Sequence, residues 1–282
     1  MYNKIYICFL LVLIAYLYIN IIYRSTHVEG FTLSTREDEI YAKLHSTVFN
    51  DQDFIDYDCS NIIKNIDQSV QEKPYILDAG CGAGHHYKKL VGKYGKESVI
   101  GVDNNKTILK QAKIRVPTGT FKEADLEDKG LFSDQTFTHI LCSVDTIHHN
   151  HGSKMDSIIN NFYNWLKPGG LLMIHIFNNK DLDPAPRSFS QYYHDDQGNK
   201  HALTYFEDFS HDAWWEAKKK DLYVYKEKII TEEENKKEVG NVFYIPNKEV
   251  ILKKMEVAEF KLKDIVELNK IDVKFDLYIF QK

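Results

Sequence analysis

Cysteine, proline and glycine are all scarce in this sequence: 4, 6 and 14 in 282 residues. So few cysteines cannot staple a chain of this length, which excludes a disulfide scaffold. So little glycine and proline excludes low-complexity and collagen-like chains. Positive charge is also short, with 36 Lys and Arg against 41 Asp and Glu for a net charge of -5. The chain therefore lacks the single-sign basic field of a protein that coats nucleic acid, and nucleic acid is not the expected partner. Metal signatures are missing too: no Cys-x-x-Cys and no His-Glu-x-x-His accompanies the run His148, His149, His151, so no metal is expected. What the chain does have is 43% hydrophobic and 13% aromatic residues, enough to fill one large core or two small ones.

One long apolar run exists, IYICFLLVLIAYLYINIIY at residues 5–23, uncharged and bracketed by Lys4 and Arg24. Its length matches the roughly 20 helical residues that cross a hydrocarbon layer, so residues 1–30 are expected to form an N-terminal transmembrane anchor. A cleaved signal peptide fits less well, because no A-x-A-like site follows Tyr23. Arg24, Arg36 and Lys43 outweigh Lys4 and the terminal amine, so the rest of the chain is expected on the cytoplasmic side. The sequon Asn105-Lys106-Thr107 points the same way, since a glycan there would obstruct the site described next. Residues 31–73 then read as a linker and a helical lead-in, Ile55 to Val70.

The core begins near Pro74. Tyr75-Ile76-Leu77-Asp78-Ala79 is a short apolar strand that runs into Gly80-Cys81-Gly82-Ala83-Gly84 and then the polar helical stretch His85 to Tyr94. Alternate glycines let the backbone turn tightly against a ligand, and the helix that follows offers free N–H groups. A second strand, Ser98 to Val102, ends in Asp103, about 20 residues after the turn, where a carboxylate meets the ribose hydroxyls of a bound nucleoside. An NAD(P) oxidoreductase shares these features. However, His85 and His86 stand where its GxGxxG pattern wants a last small residue.

These residues resemble the class I S-adenosylmethionine-dependent methyltransferases, and the resemblance extends over Tyr75 to Asn178. Ile76 to Gly84 is similar to that family's first motif, hhDhGCGxG. Val102-Asp103-Asn104 looks like its ribose-binding acid and neighbour, and Asp125-Leu126 like the loop bordering adenine. Thr138 to Ser143 looks like the fourth strand, and Trp165 to Gly170 followed by Leu171 to Ile174 like the helix, turn and fifth strand. The resemblance implies an α/β fold with a Rossmann-like seven-stranded sheet, mostly parallel with an antiparallel last strand at Phe275 to Gln281, occupying residues 74–282. It implies S-adenosylmethionine as cofactor, held by Asp78, Gly80, Cys81, Gly82, Gly84, Asp103, Asn104, Asp125, Leu126 and Ser143.

Between the fifth strand and a helix at Asn247 to Phe260, residues 179–246 are more than a connecting loop needs. His201 to Phe206, Asp221 to Ile230 and Val239 to Ile245 have the β-branched and aromatic content of strands, so an antiparallel β insert over the active site is expected. From Asp181 to Glu238 it carries 14 acids against 9 bases, and aromatics cluster in its first half. Tyr192, Tyr193 and Trp214 are the expected contacts for a small-molecule acceptor, an amine first, through cation–π and carboxylate contacts. The alternative is that these aromatics form the insert's own core.

The sulfonium methyl is already activated, so such an enzyme chiefly aligns an acceptor lone pair and excludes water. A base near the carboxyl end of the fourth strand takes the acceptor's proton, and the candidates are Asp145, His148 and His149. The competing reading of the histidines is structural. A noncatalytic cofactor-fold scaffold and a protein or RNA methyltransferase are the alternative functions.

Overall fold

A computed structural model describes residues 39–69, 72–177, 182–184, 189–231, 236–268 and 275–282, all within one unit, Thr35–Lys282. Two helices lead in: α1 (Glu39–Val48) and α2 (Gln52–Ser69). An alternating series follows, β1 (Ile76–Ala79), α3 (His85–Tyr94), β2 (Val99–Asp103), α4 (Lys106–Arg115), β3 (Thr120–Glu123), β4 (Phe137–Cys142), α5 (Ser153–Trp165) and β5 (Leu166–Phe177). Five strands come next: β6 (Gln191–His194), β7 (Lys200–Tyr205), β8 (Phe209–Lys219), β9 (Leu222–Thr231) and β10 (Lys236–Tyr244). The chain closes with α6 (Lys248–Val257), β11 (Lys261–Val266) and β12 (Phe275–Gln281).

The main sheet has seven strands in the order β11-β12-β5-β4-β1-β2-β3. β1, β2, β3, β4 and β5 pair in parallel, whereas β12 is antiparallel to both β5 and β11. β1 and β4 are buried along their whole length, as central parallel strands covered on both faces must be. Strand alternation sends Leu77, Ile140 and Leu172 to a layer with Phe162 and Trp165 of α5 and Met255 of α6. It sends Ile76, Leu141 and Met173 to the opposite layer with Ile62 and Ile66 of α2 and Tyr87 of α3. The sheet order also separates this fold from the doubly wound dinucleotide fold, whose order is 3-2-1-4-5-6 with every strand parallel.

The second sheet is antiparallel, in the order β10-β9-β8-β7-β6. Its inner face, with Phe209, Ile229 and Val239, packs on Tyr41 and Val48 of α1. Tyr225 and Phe243 pack with Phe177, at the end of β5.

Three expectations need correction. The membrane helix is the first: among the described residues no helix is long and apolar enough to cross a membrane. The longest described helix, α2, exposes Asp53, Asp56, Lys64 and Asp67 and buries only one face, the pattern of a helix packed on a core. The expected span at 5–23 lies outside the described residues, and the membrane location and cytoplasmic placement that rested on it are withdrawn. The second is the linker, which contains α1. The third is β8, which the sequence reading missed altogether: its polar residues alternate with Phe209, His211 and Ala213 along a strand whose two faces are both covered.

Candidate active site

The glycine turn folds as its spacing demands. Gly80, Gly82 and Gly84 all have positive φ, at 74°, 51° and 78°, a region closed to most side chains. A Cβ on Gly80 would lie 2.2 Å from Thr146 Oγ1, so the loop after β4 presses directly on the turn. A Cβ on Gly82 would meet nothing within 4 Å, which leaves open space where a ligand can lie against the backbone. Gly80 and Cys81 both donate their amides to Val102 O, at 2.7 and 2.9 Å, tying the turn to β2.

Asp103 ends β2 beside that turn. Its Oδ2 accepts from Gly82 N–H at 2.9 Å and its Oδ1 from Asn105 N–H at 2.8 Å. Each oxygen keeps a lone pair for a further donor, as two vicinal hydroxyls require. Burial raises its pKa, and the two amides draw it back. Asp78 is fully buried at the end of β1, and neither carboxylate oxygen has a partner. Burial pushes it up to about 7, with His86 opposing and Asp103 adding. A buried carboxylate without a donor is costly, so its presence beside the turn fits a site that receives a charged donor. Cys81 is buried, its thiol raised well above the ordinary range by burial, and its Sγ fills the space above Gly101.

Beyond β3, Asp125 pairs with Lys154 at 2.7 Å. Burial alone would raise its carboxyl, but Lys154 and the Glu127 amide outweigh it and hold it low. Leu126 is buried beside it, its carbonyl accepting from Asn161 Nδ2 at 2.9 Å. Ser143 is buried at the end of β4, and Asn104 is exposed next to Asp103. The expected cofactor residues therefore gather at the carboxyl ends of β1, β2, β3 and β4.

The three candidate bases occupy different surroundings. His148 is fully buried; its Nδ1–H donates to Tyr244 O at 2.9 Å, and its Nε2 accepts from Phe177 N–H at 3.1 Å. Both nitrogens are spent on backbone groups, and burial lowers its pKa to about 4. This geometry corrects its candidacy as a base: His148 ties the loop after β4 to the ends of β5 and β10. His149 sets its Nε2 against Asp145 at 3.4 Å and its Nδ1 against Val242 O at 3.4 Å, and the side chains of His149 and Asp145 are 28% and 42% exposed. Burial opposes the charge on Asp145, yet His149 outweighs it and holds the carboxyl near 2.

The inner face of the insert, together with α1, completes the surroundings. Glu227 on β9 is fully buried and accepts from Tyr41 Oη at 2.6 Å and from His211 Nε2 at 3.0 Å. His211 Nδ1 is buried without a partner. The sequence reading missed Glu227, His211 and Tyr41. For Tyr41 a signal existed: Tyr41, Leu44 and Val48 share the face of one amphipathic helix.

Of the expected acceptor contacts, Tyr193 and Trp214 lie on the far face of the insert, whereas Tyr192 stands on its edge strand β6 in register with Ala202, Ala213 and Glu227 of the inner face. Trp214 stacks on His201 at 4.5 Å and His201 on Tyr193 at 4.6 Å. Cross-strand register pairs Trp214 with His201 and Lys226, on the face opposite Tyr225 and Glu227. Tyr193 also donates to Asp212 at 2.7 Å. Tyr192 donates to Asp183 at 3.0 Å and carries Lys200 over its ring at 3.8 Å. Tyr193 and Trp214 are satisfied on the far side of the insert, because the two-residue period of a strand turns alternate residues away from the inner face.

Comparison with known proteins places this geometry. A methyltransferase domain family matches residues 76–170. Trans-aconitate 2-methyltransferase of Rhodopseudomonas palustris is 28% identical over 113 residues, 38% of this chain and 40% of that protein. The Rhizobium etli protein of the same name is 38% identical over 57 residues, 20% of this chain and 22% of its own. The chain thus spans less than half the length of these curated relatives. Among solved structures, CalS10, an amino pentose methyltransferase from Micromonospora echinaspora, superposes with a TM-score of 0.65 at 15% identity, covering 90% of this chain and 99% of that one. An S-adenosylmethionine-dependent methyltransferase from Clostridium acetobutylicum gives 0.63 at 16% identity, covering 79% and 89%. Residues 76–170, with the glycine turn bonded to Asp103, thus form a methyltransferase domain, and the seven-stranded order in which it is set is the fold of the S-adenosylmethionine-dependent methyltransferases.

Proposed function

We propose that this protein transfers a methyl group from S-adenosylmethionine to a small-molecule amine held between the loop after β4 and the inner face of the insert. The observation that carries the reading is the Asp103 carboxylate, which fixes the Gly82 amide while keeping acceptor capacity for a ribose. When bound, the cofactor supplies a sulfonium-activated methyl group. Asp103 would hold its ribose, Asp125 and Leu126 would border its adenine, and Asp78 would receive its ammonium, directly or through water. The fit rests on the open space over Gly82 and the unpartnered Asp78 carboxylate.

Acceptor chemistry follows from the charges facing that space. Asp145 and His149 are partly exposed there, Glu227 lies buried beside His45 and His211, and the cation Arg115 is held at Ala83 O and Ser46 Oγ. A polycarboxylate such as trans-aconitate, named in the curated relatives, would be repelled by that wall, whereas an amine would be drawn to it. An amine attacks only as its free base, and His149 with Asp145 is the pair placed to take the proton.

Calorimetric titration of the protein with S-adenosylmethionine, with NADH as control, tests the cofactor. Micromolar binding of S-adenosylmethionine that Asp103→Ala abolishes supports the reading. No binding by the folded protein sinks the enzyme and brings forward a noncatalytic scaffold.

A further inference from the structure

A buried polar chain joins four parts of the fold, and the proposed chemistry leaves it unused. Asp58, on α2, is fully buried. Its Oδ2 accepts from His86 Nε2 of α3 at 2.8 Å, and its Oδ1 accepts from His175 Nε2 of β5 at 3.1 Å. The other ring nitrogen of His175 accepts from the backbone N–H of Val144 at 2.6 Å. A backbone amide can only donate, so His175 Nδ1 carries no proton, and the ring's N–H must be at Nε2, facing Asp58. Burial works against charge on Asp58, but His175 and His86 outweigh it and hold the carboxyl below its usual range. Phe275 and Phe54 pack against the His175 ring.

The amide at the end of this chain belongs to an unusual residue. Val144 has φ 54°, a left-handed conformation that a β-branched side chain rarely adopts and that persists only where its surroundings enforce it. It stands between Ser143 and Asp145, the one at the cofactor side of the site and the other at the acceptor side. Two residues on, Thr146 fills the place of a Gly80 Cβ, so this loop cannot relax without shifting the glycine turn. Without Asp58 the imidazole is free to take its other tautomer. It would then set an N–H against the Val144 N–H.

We infer that Asp58 and His175 form a positioning relay that fixes the loop Ser143–Thr146 in its strained conformation and so aligns the two halves of the methyl-transfer site. The inference rests on the proposed function for its catalytic consequence, though not for the relay itself. Both are positioning residues, since neither faces the reacting atoms.

Three measurements on the full chain test it. In the first, long-range nitrogen–proton NMR of the histidine rings is expected to show His175 protonated at Nε2 alone. A proton on Nδ1 overturns the relay, whether or not any variant folds. In the second, Val144 amide exchange is expected to be slow in the wild type and to quicken at least tenfold in Asp58→Leu; unchanged exchange overturns it. In the third, His175→Phe keeps the ring but removes the acceptor, and Asp58→Leu removes both bonds. Each is expected to lower kcat tenfold or more with KM for S-adenosylmethionine within threefold, and the double variant to lose no more than the worse single one. Unchanged kcat in His175→Phe, or losses that simply multiply, overturns it. If the wild type does not bind S-adenosylmethionine, the proposed function fails, while the tautomer and exchange measurements still decide the relay.

Discussion

Replacing His148 by Ala strips an acceptor from the Phe177 amide and a donor from the Tyr244 carbonyl. Leaving such groups unpaired costs ~1–3 kcal/mol, so His148→Ala is expected to lower Tm in thermal unfolding. His149→Ala removes the partner of Asp145 and is expected to lower kcat, with cofactor affinity by calorimetry unchanged; an unchanged kcat would remove the pair from the mechanism. The sequence offered these adjacent histidines as equivalents. Only the fold separates them, because burial depends on which way a short turn faces. Asp78 sets a further expectation. Its carboxyl ionises near 3.8 when exposed and near 7 when folded. Between those values the folded state keeps a proton that the unfolded chain has released, so this group's contribution to stability declines as pH rises. Without cofactor, Tm is expected to fall over that window in the wild type, and the decline is expected to be absent in Asp78→Asn. Affinity for S-adenosylmethionine is expected to run the other way, rising as Asp78 ionises.

Among the elements, β1, the glycine turn, α3 and β2 were readable because their determinants are local: an apolar run, alternate glycines and an acid at a fixed distance. The insert was read as strands but not by face. Which side of β8 meets the core follows from its pairing with β7 and β9, and no residue of β8 carries that information alone. α1 went unread because its apolar face of Tyr41, Leu44 and Val48 spans only ten residues, too short to stand out until a partner surface exists for it. That partner is the insert, and Glu227 joins the two. Glu227→Ala removes the carboxylate to which Tyr41 Oη and His211 Nε2 donate, so α1 is expected to loosen. Hydrogen exchange should then quicken across residues 39–48 while the central strands β1 and β4 keep their protection. Uniform loss of protection would mean that Glu227 supports the fold as a whole.

At the scale of the whole molecule, net charge discriminates among acceptors that the site alone would leave in competition. The net charge of -5 is spread over 36 basic and 41 acidic residues, and two of those acids, Asp145 and Glu227, lie beside the proposed acceptor site. A polynucleotide would have to approach against that charge, and whatever affinity it gained through phosphate contacts would collapse with salt. For about 6–10 such contacts the loss is of order 10³–10⁵ between 50 and 200 mM. A small amine enclosed between the insert and the loop after β4 makes its contacts where screening is weak, because mobile ions are excluded from the interior. The acceptor KM is therefore expected to change by no more than about threefold over that salt range. Steady-state methyl transfer to simple amines at two salt concentrations measures this directly. A steep salt dependence, or transfer to RNA in preference to amines, would place the acceptor on an outer surface and remove the inner face of the insert from recognition.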